Sequence, residues 1–177
     1  MLVLAIDPSG SYYEGKGTTG WALFDSEKKQ LLDYGHVRAS KYNTVTEYYA
    51  EISKLIKPGM KVIIEEYLLY ANKAKQQINS KMETSKLIGY LQMYCFSKGV
   101  SYTMQLAGEV VKRWADHILV HKGIIKQNMN TEKSVYYALG RVTNEHERDA
   151  MRHAIHYITF KFKKEFQDGR KEIEYGK

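Results

Sequence analysis

Short apolar runs separated by breakers dominate the first part of the chain. LVLAI (residues 2–6) ends at Asp7 and meets the breaker-rich PSGSYYEGKGTTG. WALFD and QLLDYGHVRAS follow, so residues 2–39 predict a strand meander with one long first loop. In TVTEYYAEISKLI, Val45, Tyr48, Tyr49, Ile52, Leu55 and Ile56 recur on one face at helical spacing. KPGMK stops that helix, and VIIEEY is a short apolar strand suited to burial. A helix over about residues 80–98 carries Met82, Ile88, Leu91, Met93, Tyr94 and Cys95. VSYTMQL then predicts a strand and AGEVVKRWADHIL a short helix. HKGIIKQNMN predicts a loop and TEKSVYYALGRV another helix, ahead of the last helix in NEHERDAMRHAIHYITF. The order is that of an α/β layered domain with a mixed sheet.

Composition narrows this picture. A chain of 177 residues suits one domain with a sizeable core. A single cysteine excludes an internal disulfide framework and a four-cysteine zinc site. No basic segment precedes the first apolar run, which argues against a signal peptide, and no apolar run is long enough to span a membrane. A cytoplasmic protein without membrane contact is the expectation. The net charge of +7 is concentrated: residues 71–141 hold eleven Lys and Arg against four Asp and Glu, while the remainder is balanced. A basic middle in a neutral frame suits a polyanion surface, or simply solubilises the chain.

Two carboxylates end strands. Asp7 closes the first and Glu65 the fourth, with Glu66 on the opposite face. Acids at strand ends, where crevices open, are placed for ligation. Brought together they repel, and a hard divalent cation relieves that repulsion. Asp7 alone is equally a cap for the DPSG turn. On the last helix, at about 100° per residue, Met151, Ala154, Ile155, Ile158 and Phe162 form an apolar face. His146, Asp149, His153 and Tyr157 form a second stripe, leaving Arg148, Arg152, His156 and Thr159 for solvent. Asn144 and Glu147 make a capping box, which explains Glu147 but not Asp149. His146 beside an acidic site can ligate, move a proton, or merely finish the helix.

LAIDPSG, TTGWALF, VIIEEY and HERDAMRHAIHY together resemble the RuvC family of Holliday junction resolvases, in the RNase H-like superfamily. The resemblance spans residues 1–160 and implies an RNase H-like fold: a central mixed five-stranded sheet flanked by helices in one nuclease domain. Residues 161–177 are then a charged C-terminal tail. It assigns catalysis and metal binding to Asp7, Glu65, His146 and Asp149. LAGEVVKRW and NTEKSVYYAL resemble the segments that carry two functional basic residues, which fall on Lys112 and Lys133. The Ser9–Thr18 loop is longer than usual, and the family's aromatic wedge position falls on Leu68, with Tyr67 or Tyr70 as substitutes. The compact, divergent form looks like a phage or mobile-element version, which would act in the host cytoplasm.

The implied activity is paired phosphodiester hydrolysis at four-way and other branched DNA by a homodimer, leaving 5′-phosphate and 3′-hydroxyl ends. Two Mg²⁺ ions per site, or Mn²⁺ in their place, suit that chemistry. Lys112, Arg113, Lys122, Lys126 and Lys133 would neutralise backbone phosphates, and Lys73 and Lys75 sit among tyrosines that either stack on bases or join the core. The helix SKLIGYLQMYCF either joins two protomers or covers the sheet. The acids alone do not separate this reading from an RNase H-like nuclease acting on RNA–DNA hybrids or flaps. A non-catalytic nucleic-acid-binding protein gains nothing from carboxylates facing a polyanion.

Overall fold

A computed structural model describes residues 1–67, 82–129 and 134–162. Strands β1 (Leu2–Asp7), β2 (Thr18–Asp25) and β3 (Gln30–Arg38) form the expected antiparallel meander. Helix α1 (Val45–Ser53) leads to β4 (Lys61–Glu66), which pairs in parallel with β1. Helix α2 (Glu83–Ser97) leads to β5 (Ser101–Leu106), parallel to β4. The sheet is mixed and five-stranded, in the order β3-β2-β1-β4-β5.

The central strands are apolar on both faces because both faces are covered. Val3, Ala5 and Ile63 point to a core completed by the last helix, with Met151, Ala154, Ile155 and Ile158. Leu4, Ile6, Val62 and Ile64 point to the other core, with Tyr48 and Ile52 of α1 and Leu87 and Leu91 of α2. Thr44 and Glu47 form a capping box at the start of α1.

Downstream of β5 the chain departs from the sequence expectation. AGEVVKRWADHIL is two helical pieces, α3 (Ala107–Val110) and α4 (Asp116–His121). The predicted loop after it contains β6 (Lys126–Asn128). The predicted helix in TEKSVYYALGRV is instead the hairpin of β7 (Val135–Ala138) and β8 (Arg141–Val142); Thr131, Glu132 and Lys133 lie outside the described residues. Valine and two tyrosines favour a strand. Leu139 and Gly140 both take positive φ, 46° and 78°, as a two-residue hairpin turn of the primed type requires. Strands β6, β7 and β8 make a second, three-stranded sheet. The Tyr34 hydroxyl of β3 anchors it, donating to the Ala138 and Arg141 carbonyls at 2.9 and 2.8 Å.

Helix α5 (Glu145–His156) follows and continues through a π-helical turn at Tyr157–Lys161. Asn144 and Glu147 form the expected capping box. The expected solvent strip is absent: Arg152 and His156 are buried, and Arg148 is only partly exposed. Trp114 and Asp116 cover that side. Arg152 Nε donates to the Trp114 carbonyl at 2.9 Å, Trp114 Nε1 donates to His156 Nδ1 at 3.3 Å, and Arg148 Nε donates to Asp116 at 3.1 Å. Among the described residues no helix is long and apolar enough to cross a membrane.

Candidate active site

Asp7 and Glu65 reach the same end of the sheet because β1 and β4 run parallel, with Ile6 in register with Ile64. Glu65 is half-buried and Glu66 exposed, so the inward acid is the one expected. The third side of the site is the first two turns of α5. Its approach depends on Gly20, which pairs with Asp7 across β1 and β2. A Cβ at Gly20 would overlap the backbone of His146 and Glu147, so only glycine lets the helix sit directly on the strand. That contact brings His146 Nδ1 to 2.7 Å from Asp7 Oδ2.

Helix α5 gives each acid its own partner. His146 holds Asp7, and Arg152, three residues on from Asp149, ion-pairs with it. The second Arg152 nitrogen donates to Asp116 Oδ1 at 2.5 Å. Buried His153 lies between β4 and β5, its Nε2 3.0 Å from Glu65 Oε2 and its Nδ1 3.0 Å from Gln105 Oε1. Gln105 Nε2 is buried with no partner among the described residues. Turning that amide over lets its Nε2 donate to Nδ1 while the other ring nitrogen faces Glu65.

The carboxylates also sense one another. Burial raises Asp7 to about 6; the His146 hydrogen bond opposes this, and the charges of Glu65 and Asp149 add to it. His146 is raised in turn, chiefly by its bond to Asp7. Asp149 is raised by burial, against Arg152, with Glu65 again adding repulsion. Burial is the main cause of both shifts, and repulsion between the carboxylates adds to it. Three carboxylates and an imidazole are a donor set suited to a hard divalent cation. Among the described residues no three His, Cys, Asp or Glu side chains converge on one ion position, because each acid is turned to its protein partner.

A cleft of about 430 Å³ opens beside His146, lined also by Gly17, Thr18, Arg38, Asn144 and Glu145. Exposed Arg38 at its mouth escaped the sequence reading, because a lone arginine at a strand end carries no signal there. The long first loop is firmly tied. Glu83, at the start of α2, accepts from the Tyr12 backbone amide at 2.6 Å, and Thr84 accepts from Gly10 at 3.0 Å. Of the other expected residues, Lys112 and Arg113 are exposed on the turn after α3. That turn ends at Trp114, whose carbonyl holds Arg152. Arg113 packs its guanidinium 4.6 Å from the Phe160 ring centroid. Tyr67 is half-buried against the α1–α2 core. Lys73, Lys75, Tyr70, Leu68 and Lys133 lie outside the described residues.

The mixed five-stranded sheet flanked by helices is the expected RNase H-like fold, and it is similar to that of RuvC. Two structures of RuvC from Thermus thermophilus match the chain. The first, in complex with a Holliday junction substrate, has 19% identity and a TM-score of 0.58, over 88% of this chain and 90% of that one. The second, of the protein described simply as RuvC, has 19% identity and a TM-score of 0.55, over 88% and 92%. No protein-family model and no curated protein matches the sequence. The likeness therefore lives in the fold.

Proposed function

We propose that this protein is a structure-selective endodeoxyribonuclease that resolves four-way DNA junctions, and related branched DNA, by paired phosphodiester hydrolysis. The carrying observation is the meeting of Asp7, Glu65 and the His146–Asp149 turn of α5 at one end of a RuvC-like sheet. A related structure on this fold was solved with a Holliday junction substrate. That fold likeness supports branched DNA as the substrate class.

Asp7, Glu65 and Asp149, with His146, are the residues that would hold Mg²⁺ or Mn²⁺. Bound there, a pair of such ions supplies an activated water and stabilises charge on the leaving 3′ oxygen. The chain's own groups prepare the site. His153 orients Glu65 from beneath. Arg152 has Asp116 as a second acceptor, so it can release Asp149 without becoming an unpaired buried cation. His146 is placed to take a proton at Nδ1 or pass one on. Lys112, Arg113 and Arg38 would meet backbone phosphates on either side, positioning the strand without reading bases. A four-way junction has near two-fold symmetry, so a homodimer with two such sites matches paired nicking.

Synthetic four-way junctions, flaps and RNA–DNA hybrids incubated in parallel with Mg²⁺ test the reading. Symmetric nicks in the junction, with weak cutting of the others, are expected. Asp7→Asn should lose cleavage by about 10²–10³-fold, on the order seen for key electrostatic groups, while still binding the junction. Ordinary Mg²⁺-dependent cutting by that variant would refute the assignment.

A further inference from the structure

A lysine-lined cleft lies at the other end of the molecule from the candidate active site. It has a volume of about 630 Å³, and its walls include Lys28, Lys29, Lys122 and Lys126, with Gln30 and Tyr137. No Asp or Glu lines it. The lysines come from separate parts of the chain: the β2–β3 turn supplies two, the segment after α4 one, and β6 one. All four are exposed, and among the described residues none forms an ion pair. Of the nearby acids of the hairpin, Asp25 also senses the Lys28 charge, while Glu27 is engaged elsewhere. Asp25 accepts from the backbone amides of Glu27 and Lys28, and Glu27 pairs with the N-terminal amine at 3.3 Å.

Four like charges gathered without an ion pair among the described residues repel one another, and an anion offsets that cost. Leu2 pairs with Asp25, so the β2–β3 turn lies beyond the opposite end of β1 from Asp7. Six residues of strand at about 3.3 Å each put the cleft roughly 20 Å from the acids. That separation corresponds to about six base pairs of duplex at 3.4 Å each.

We propose that this lysine cleft is a second phosphate-binding site, separate from the candidate active site, that grips the phosphodiester backbone of a duplex DNA arm. Four lysines line the cleft, and no arginine fork accompanies them there. They therefore suit a row of singly charged phosphates better than one compact, multiply charged group. The cleft would hold duplex without reading its sequence. The inference rests on the nuclease reading only for its choice of polyanion.

The test is the salt dependence of binding to a 30-base-pair duplex without divalent cations, read by fluorescence anisotropy. The variant is Lys28→Gln, Lys29→Gln, Lys122→Gln and Lys126→Gln combined. A matched control neutralises the exposed Lys54, Lys57, Lys86 and Lys98, so both proteins carry the same net charge. The cleft variant should bind about tenfold or more weakly near 0.1 M salt, with a log–log salt slope shallower by about 3 to 4, or 0.9 per lost phosphate contact. The control should shift far less. Equal losses in both, or none in the cleft variant, would overturn the proposal. So would phosphatidylserine vesicles that bind through these lysines while duplex binding is untouched. A wild-type protein that cuts no junction but loses duplex binding with the cleft would sink the nuclease reading and leave this one standing.

Discussion

Asp7 concentrates the chemistry at the residue scale. Its carboxyl, raised from 3.8 to about 6, takes up protons in the folded protein that the unfolded chain does not. The native state then binds more protons between pH 4 and 6, so this group's contribution to stability falls as pH rises through that window. Ionised Asp7 is thus a burden on the cation-free protein at neutral pH. Asp7→Asn should raise stability in EDTA at pH 8 by about 1–3 kcal/mol, taking 1.4 kcal/mol per pKa unit. The gain should shrink towards pH 4, as chemical denaturation at several pH values would show. Loss of the His146 bond, which also raises that histidine, works against the gain. The position of Asp7 was legible in the sequence because a polar residue ends an apolar run. The partners of the acids were half legible: His153 falls on the stripe of His146 and Asp149, whereas Arg152 read as a residue for solvent.

At the scale of elements, one close approach organises the site. Helix α5 reaches Asp7 because Gly20 has no side chain to hold the helix away. Gly20→Ala should cost about 1–3 kcal/mol through overpacking and displace His146 from Asp7. A lower melting temperature together with a loss of cleavage well beyond what reduced folding explains would show both effects. Helices α1 and α2 and the five strands were readable from periodicity, since each buries a face at its own repeat. The VYYALGRV hairpin was misread as a helix because its apolar residues suit either repeat over so short a stretch. The deciding feature was the Leu139–Gly140 turn, whose positive φ values anchor β7 against β8.

Across the whole molecule, the sheet separates two cores and two ends. Cys95 lies fully buried in the α1–α2 core, and burial pushes its thiol up to about 11. Such a thiol reacts only when the core opens. Its modification by a thiol reagent should therefore track global unfolding, with rates that rise with denaturant as the fluorescence transition does. Fast labelling in native buffer would mean that this core opens locally. The two ends carry opposite chemistry: carboxylates gather where β1 and β4 finish, and lysines gather beyond where β1 begins. A polyanion spanning both would be gripped at one end and brought to the acids at the other.

What the sequence determined alone was the alternation and length of its apolar runs, and with them the layers of the fold and the two acids at strand ends. Those signals are local, because burial of a strand or helix face is written into neighbouring residues. Tertiary structure decided which partner each acid takes, why Arg152 and His156 are buried, and how lysines from three separate segments share one cleft. Those outcomes depend on residues brought together from far apart in the chain, Arg152 with Asp116 and Lys28 with Lys126. No periodicity along the chain records such meetings.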